Sequence, residues 1–178
     1  MNKWEKTKTE LISKQAFYSV RYDYLKNPRN DKEIKVTIFD TSDAVNIVAL
    51  TKDNHLVLVK QYRFGTENYV IECPGGFIDE GEHQQKAAAR ELLEETGYAG
   101  TDWRYLGSIP NNPAFMTSYI HHWLLTDAEL VAEQHLDEGE DLAVLTVPFA
   151  EVRKMLQNGD INHPHAISAL VRWQAIWT

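Results

Sequence analysis

The sequence predicts an α/β or α+β sandwich, and three observations carry that expectation. Short apolar or alternating segments of strand length recur along the chain. Three longer segments follow a helical pattern. Hydrophobic residues at 43% and charged residues at 25% of 178 residues suit one packed domain with a small extension, and exclude a disordered chain.

The elements follow in order. Phe17–Leu25 (FYSVRYDYL) is rich in aromatics and reads as a strand, and Pro and Asn in the next six residues (KNPRND) favour a turn. Ile34–Phe39, Ala44–Leu50 and Leu56–Arg63 run apolar or alternate as strands do, with TKDNH as a hairpin-like turn between the last two. Tyr69–Cys73 is a short strand stopped by Pro74-Gly75-Gly76. Glu82–Thr96 is the strongest helix, with Ala87, Ala88, Ala89, Leu92 and Leu93 inside it and Gly97 as its C-terminal cap. Trp103–Ile109, Ile120–Leu125 and Leu142–Val147 read as strands. Pro148–Asn158 starts on Pro and ends at Gly159, and Pro164–Trp177 is a closing amphipathic helix. Residues 1–40 form an added β-element, and 41–178 the main domain.

Charge narrows the function. Eighteen basic and 26 acidic residues give a net charge of −8, which argues against a nucleic-acid binder relying on a basic face. The balance is uneven: residues 1–35 carry +4, 72–95 carry −5, and 127–141 carry seven acids without a base. Such runs are solvated faces, or they converge on divalent cations, which hard oxygen ligands bind well. The single cysteine, Cys73, excludes an intramolecular disulfide and reads as a buried apolar group. No apolar run approaches the ~20 residues that span a bilayer, and the first residues lack a signal-peptide apolar region, so a cytoplasmic location is expected. His121-His122 and His163-Pro164-His165 lack partners at zinc spacing and read as structural. Trp4, Trp173 and Trp177 read as packing or subunit-contact residues.

The chemistry concentrates on Arg90-Glu91-Leu92-Leu93-Glu94-Glu95. Glu91, Glu94 and Glu95 stand three and four residues apart on one side of a helix, where like charges cost a few tenths of a kcal/mol per pair. Arg90 offsets part of that cost, and a divalent cation would offset more. The context sharpens this. Five residues separate Gly76 from Glu82 and seven more separate Glu82 from Arg90-Glu91; Leu92, Glu94, Glu95, Gly97 and Tyr98 follow. That is G-x5-E-x7-R-E-U-x-E-E-x-G-U, with U apolar, and every fixed position is filled.

On this motif the sequence resembles a Nudix hydrolase. The resemblance implies an α/β/α sandwich with a mixed sheet, plus the N-terminal antiparallel β extension, and Mg²⁺- or Mn²⁺-dependent hydrolysis of a nucleoside diphosphate linked to another group. By position, Glu91 and Glu95 would be the main metal ligands, with Glu94 and the Gly75 carbonyl contributing, and Glu82 and Arg90 would orient the set. The run LVLVKQYRFGTENYVIECPGGFIDEGE, and Pro113 fifteen residues after Tyr98, resemble ADP-ribose pyrophosphatases and related nucleoside-diphosphate-sugar hydrolases. That subgroup implies substrate contacts from Arg63, Tyr18, Gly76 and Pro113, the last three through the N-terminal strand, the loop and the marker proline. It also implies a homodimer through the N-terminal strands, and a general base from LDEGEDL, where Glu138 and Glu140 both qualify. Val36 stands where the subgroup leads one to expect an arginine facing the base, which leaves the nucleobase open. Alternatives are a GDP-mannose or (d)NTP hydrolase, an RNA 5′-pyrophosphohydrolase, or a non-catalytic sugar-nucleotide sensor; the complete glutamate set weighs against the sensor.

Overall fold

A computed structural model describes residues 2–176 of the chain, and Trp177 lies outside them. Its contacts divide into two units, one of residues 1–43 with 109–119, the other of 44–108 with 120–178.

The first unit is a three-stranded antiparallel sheet of β1 (Glu5–Lys14), β2 (Tyr18–Lys26) and β3 (Glu33–Thr41), in that order. Strand β1 was not foreseen. Its sequence, EKTKTELISK, is exposed almost throughout, so no apolar alternation marks it, although its threonines suit a strand. Two register shifts interrupt its pairing with β2, whereas β2 and β3 pair without a break from Tyr18 opposite Thr41 to Lys26 opposite Glu33. The one buried carboxylate of this sheet, Asp23, accepts bonds from Arg21 and Thr9 and pairs with Lys6. Burial alone would raise its pKa, but these partners pull it down to about 2. The 109–119 segment joins β3 through a hydrogen bond from the Phe39 N–H to the Phe115 carbonyl and an edge contact between their rings.

The second unit contains a mixed sheet. Strands β4 (Ala44–Thr51), β5 (His55–Arg63), β6 (Asn68–Glu72), β7 (Tyr98–Ala99), β8 (Asp102–Pro110), β9 (Tyr119–Leu130) and β10 (Leu142–Pro148) take the order β10-β5-β4-β9-β7, with β6 also on β5 and β8 on β9. The β4–β9 pairing is parallel and the other recorded pairings are antiparallel. Alternate residues of β4 face opposite layers, as the pleat requires. Val45, Ile47 and Ala49 pack with Ala87, Ala88 and Leu92 of α1 (Gln84–Thr96). Val48 and Leu50 pack with Val152 of α2 (Phe149–Asn158) and with Ala166, Ala169, Leu170 and Trp173 of α3 (Pro164–Ile176). This makes the α/β/α sandwich expected, with β4 buried on both faces.

Helix α1 starts two residues later than the sequence suggested. The His83 side chain caps it by accepting from the Gln85 N–H, while Glu82 stays outside in a turn, its N–H bonded to the Asp79 carbonyl. Strand β9 runs five residues past Leu125, through a charged stretch in which Asp127 takes a left-handed φ of 54°.

Candidate active site

The chain leaves β6 at Glu72 and lies along β4 through Cys73-Pro74-Gly75-Gly76. The Ile47 N–H donates to the Pro74 carbonyl and the Val45 N–H to the Gly76 carbonyl, both at 2.9 Å. A Cβ on Gly75 would stand 2.1 Å from the Val45 carbonyl oxygen, and a Cβ on Gly76 would stand 2.4 Å from the Glu91 carboxylate. Only glycine permits this double approach of the backbone, to β4 on one side and to a helix carboxylate on the other. Among the described residues no donor engages the Gly75 carbonyl, so the atom the resemblance assigned to a metal is free to face one.

Helix α1 delivers the carboxylates. Glu95, 4% exposed, accepts the Gly75 N–H at 2.8 Å. Burial lifts its pKa to about 8; the Gly75 bond opposes this, and Glu91, Glu140 and Glu72 add to it. Glu91 lies one turn back and is likewise shielded, and burial raises it to about 6, against the pull of Arg90. Glu94 stands further into solvent. Arg90 gathers the rest: it bonds both oxygens of Glu82, one each of Glu91 and Glu94, and the Phe77 carbonyl. Its bond to Glu82 lowers that carboxyl and holds the arginine firmly charged.

The acidic segment after β9 is tied to the end of the same helix. Gln134 donates to the Glu95 carbonyl and the His135 N–H to the Glu94 carbonyl, two of the acceptors a helix terminus leaves unused. Of the two base candidates, Glu138 is exposed. Glu140 is half-buried, accepts the Asp137 N–H at 3.0 Å, and acts electrostatically on both Glu91 and Glu95. Gln134 was not singled out from the sequence, where it reads as one polar loop residue among many.

Arg63, at the end of β5, is fixed by a forked contact to Glu72, with Nε to Oε1 at 2.8 Å and Nη2 to Oε2 at 2.9 Å. Glu72 was missed: its signal was a lone acid between the apolar residues of YVIEC. Tyr18 and Pro113 both lie in the first unit, Tyr18 partly exposed with its ring 6.3 Å from that of Phe39.

Among the described residues no three carboxylate, histidine or cysteine side chains stand in a finished metal cage. Arg90 draws Glu91 and Glu94 toward itself, and Glu95 is bonded to Gly75. The donor set still fits a hard divalent cation, because its oxygens are carboxylates and a carbonyl, and Glu95 is buried among like charges with one backbone N–H to offset them. A cleft of about 860 Å³ lined by Leu50, Lys52, Phe149, Arg153 and Trp173 lies beyond the far end of β4 and contains none of these carboxylates.

Comparison with known proteins agrees with the geometry. The NUDIX domain model matches residues 40–170. The methanol dehydrogenase activator of Bacillus methanolicus is 35% identical over 150 residues, covering 82% of this chain and 80% of that protein. The ADP-ribose pyrophosphatase of Bacillus subtilis is 29% identical over 133 residues, covering 74% and 72%. A crystal structure of an ADP compounds hydrolase superposes with a TM-score of 0.86 at 28% identity, covering 98% of this chain and 94% of that one.

Proposed function

The chain belongs to the NUDIX domain family, whose members are generally dependent on divalent metal, and from that premise we propose that it hydrolyses the diphosphate of a nucleoside-diphosphate sugar such as ADP-ribose. The products are a nucleoside monophosphate and a sugar phosphate. One observation carries the reading: Glu91 and Glu95, one helical turn apart and shielded from water, are pressed against the backbone of Gly75 and Gly76.

In this reading Glu91, Glu95 and Glu94, with the Gly75 carbonyl, would hold Mg²⁺ or Mn²⁺, and Arg90 and Glu82 would keep the carboxylates aligned. A divalent cation bound there would supply charge to neutralise the diphosphate, acidify a water and stabilise the leaving phosphate. Water attacks one phosphorus, and the bond from that phosphorus to the bridging oxygen breaks. The electron pair of that bond departs with the second phosphate. Glu140 takes the proton of the attacking water; its partial burial and its electrostatic reach to Glu91 and Glu95 favour it over Glu138. Arg63 faces the diphosphate or the distal sugar with a guanidinium plane already set by Glu72.

The first unit supplies Tyr18 for the base and Pro113 for the substrate edge, and its strands carry a homodimer contact. Leu11, Ile12 and Phe17 are exposed on it and support that role. No helix among the described residues is long and apolar enough to cross a membrane; the site of action proposed is the cytoplasm.

The test is nucleotide release from ADP-ribose, GDP-mannose, UDP-glucose, dGTP and capped RNA, with Mg²⁺, with Mn²⁺ and with EDTA. Metal-dependent cleavage of a sugar nucleotide is the expected result. Turnover that survives EDTA would refute the metal site. Tight binding without cleavage of any member would refute the enzymatic reading in favour of a sensor.

A further inference from the structure

Glu72 is 1% exposed, and β6 places it in register with Val59 while Arg63 is in register with Asn68. The two side chains therefore share a face but start four residues apart along the strand, about 13 Å at ~3.3 Å per residue. Arg63 has to lie extended along β6 to reach the carboxylate. An arginine free in solvent would spread over many rotamers. Its orientation is thus only as fixed as Glu72 is.

A third group stands against Glu72. His163 stands immediately before α3, and its Nε2 is 3.4 Å from Glu72 Oε2. The isolated bridge between Ile71 and Ile161 brings the segment before α3 alongside β6. The edge of the His163 ring meets His165, with centroids 4.9 Å apart, so the imidazole has little room to turn. Burial, and then the charge of Arg63, lowers its pKa to about 4, which leaves it neutral at pH 7. A neutral ring with its proton on Nε2 turns its N–H side toward the Glu72 carboxylate at 3.4 Å, and among the described residues the buried Nδ1 has no hydrogen-bond partner. Arg63 meanwhile uses Nε and Nη2 on Glu72, and among the described residues Nη1 has no acceptor.

We infer that His163 is a positioning residue for this reaction: it fixes Glu72, and Glu72 in turn holds the fork of Arg63 so that Nη1 is presented to the substrate. This rests on the reading of Arg63 as a substrate contact. Glu72 ends β6 three residues before Gly75, whose N–H donates to Glu95, so the Arg63–Glu72 pair stands at the start of the loop that carries the carboxylate cluster.

The experiment is a cycle of His163→Ala, Arg63→Lys and the double variant, with KM and kcat measured for ADP-ribose in Mg²⁺. His163→Gln, whose amide can donate in place of the ring, guards against a merely misfolded protein, together with a thermal melt of each variant. For His163→Ala and Arg63→Lys we expect KM to rise about tenfold and kcat to move less than about twofold, the pattern of lost binding and not of lost chemistry. The double variant should add less than about twofold to either single change, since both act on one contact. His163→Gln should recover most of the loss. A raised KM in Arg63→Lys with an unchanged one in His163→Ala, or additive losses in the double variant, would overturn the inference while leaving Arg63 at the substrate. An unchanged KM in Arg63→Lys would remove Arg63 from the substrate and the inference with it.

Discussion

Replacing Gly76 by alanine separates site geometry from stability. The added Cβ would stand 2.4 Å from Cδ and Oε1 of Glu91 and 2.5 Å from Oε2. An ordinary contact is about 3.5 Å, so the carboxylate has to withdraw by roughly 1 Å. What yields is the end of a flexible side chain, at a rotamer cost of about 1 kcal/mol. Alanine also restricts the unfolded chain, which returns roughly 0.4–1 kcal/mol. The net change in stability is therefore within about 1 kcal/mol, or a Tm shift of ~4 °C or less. Catalysis has no such buffer, because a group displaced by about 1 Å can cost on the order of 100-fold in rate. The assay is kcat at saturating ADP-ribose with Mg²⁺, alongside a circular-dichroism melt. A kcat within about threefold of the parent would refute the claim that Glu91 must sit where glycine lets it. A Tm loss above ~10 °C would show instead that Gly76 serves the fold.

Three other outcomes follow from the same geometry. Glu95 and Glu91 are raised to about 8 and about 6, above the ordinary 4.5. Between those limits each is protonated when folded and ionised when unfolded, so metal-free stability falls as pH rises, by up to ~1.4 kcal/mol per pH unit per group. In EDTA, urea midpoints of Glu95→Gln should lose the decline between pH 6 and 8, and an unchanged decline would refute the burial argument, while its turnover with Mg²⁺ should be abolished. Glu140→Gln should lower kcat by about 10²–10⁴-fold and Glu138→Gln should scarcely matter; the reverse ranking would move the base. Deleting residues 1–40 should give a monomer of poor substrate affinity by sedimentation and KM, and a truncated dimer with full affinity would remove the proposed role of the first unit.

How much of this was legible depends on what each residue's neighbours are. The box on α1 could be read because its residues serve one site through a local loop and helix, so spacing in sequence equals spacing in space. Strands β4 and β5 were legible because burial on both faces writes a continuous apolar run. Strand β1 was not, since a strand exposed on nearly every residue carries no hydrophobic period. Arg63 was singled out as a substrate contact, but its link to Glu72 and His163 escaped, because the three sit on separate segments and the other two alone read as a stray acid and a structural imidazole. Glu82 was placed in the helix for want of a sign that His83 would cap it; that cap depends on a ring nitrogen reaching a backbone N–H.

Cys73 offers something practical. Burial first, and the adjacent Glu72 second, push its thiol far above the ordinary value, and it is 2% exposed. Alkylating reagents attack the thiolate, so labelling waits until the segment from Cys73 to Gly76 lifts off β4. With only one thiol in the chain, every labelled molecule reports the same event. The unmodified protein therefore carries a built-in clock, whose rate counts how often the floor of the carboxylate cluster opens and how far a bound cation or sugar nucleotide slows it.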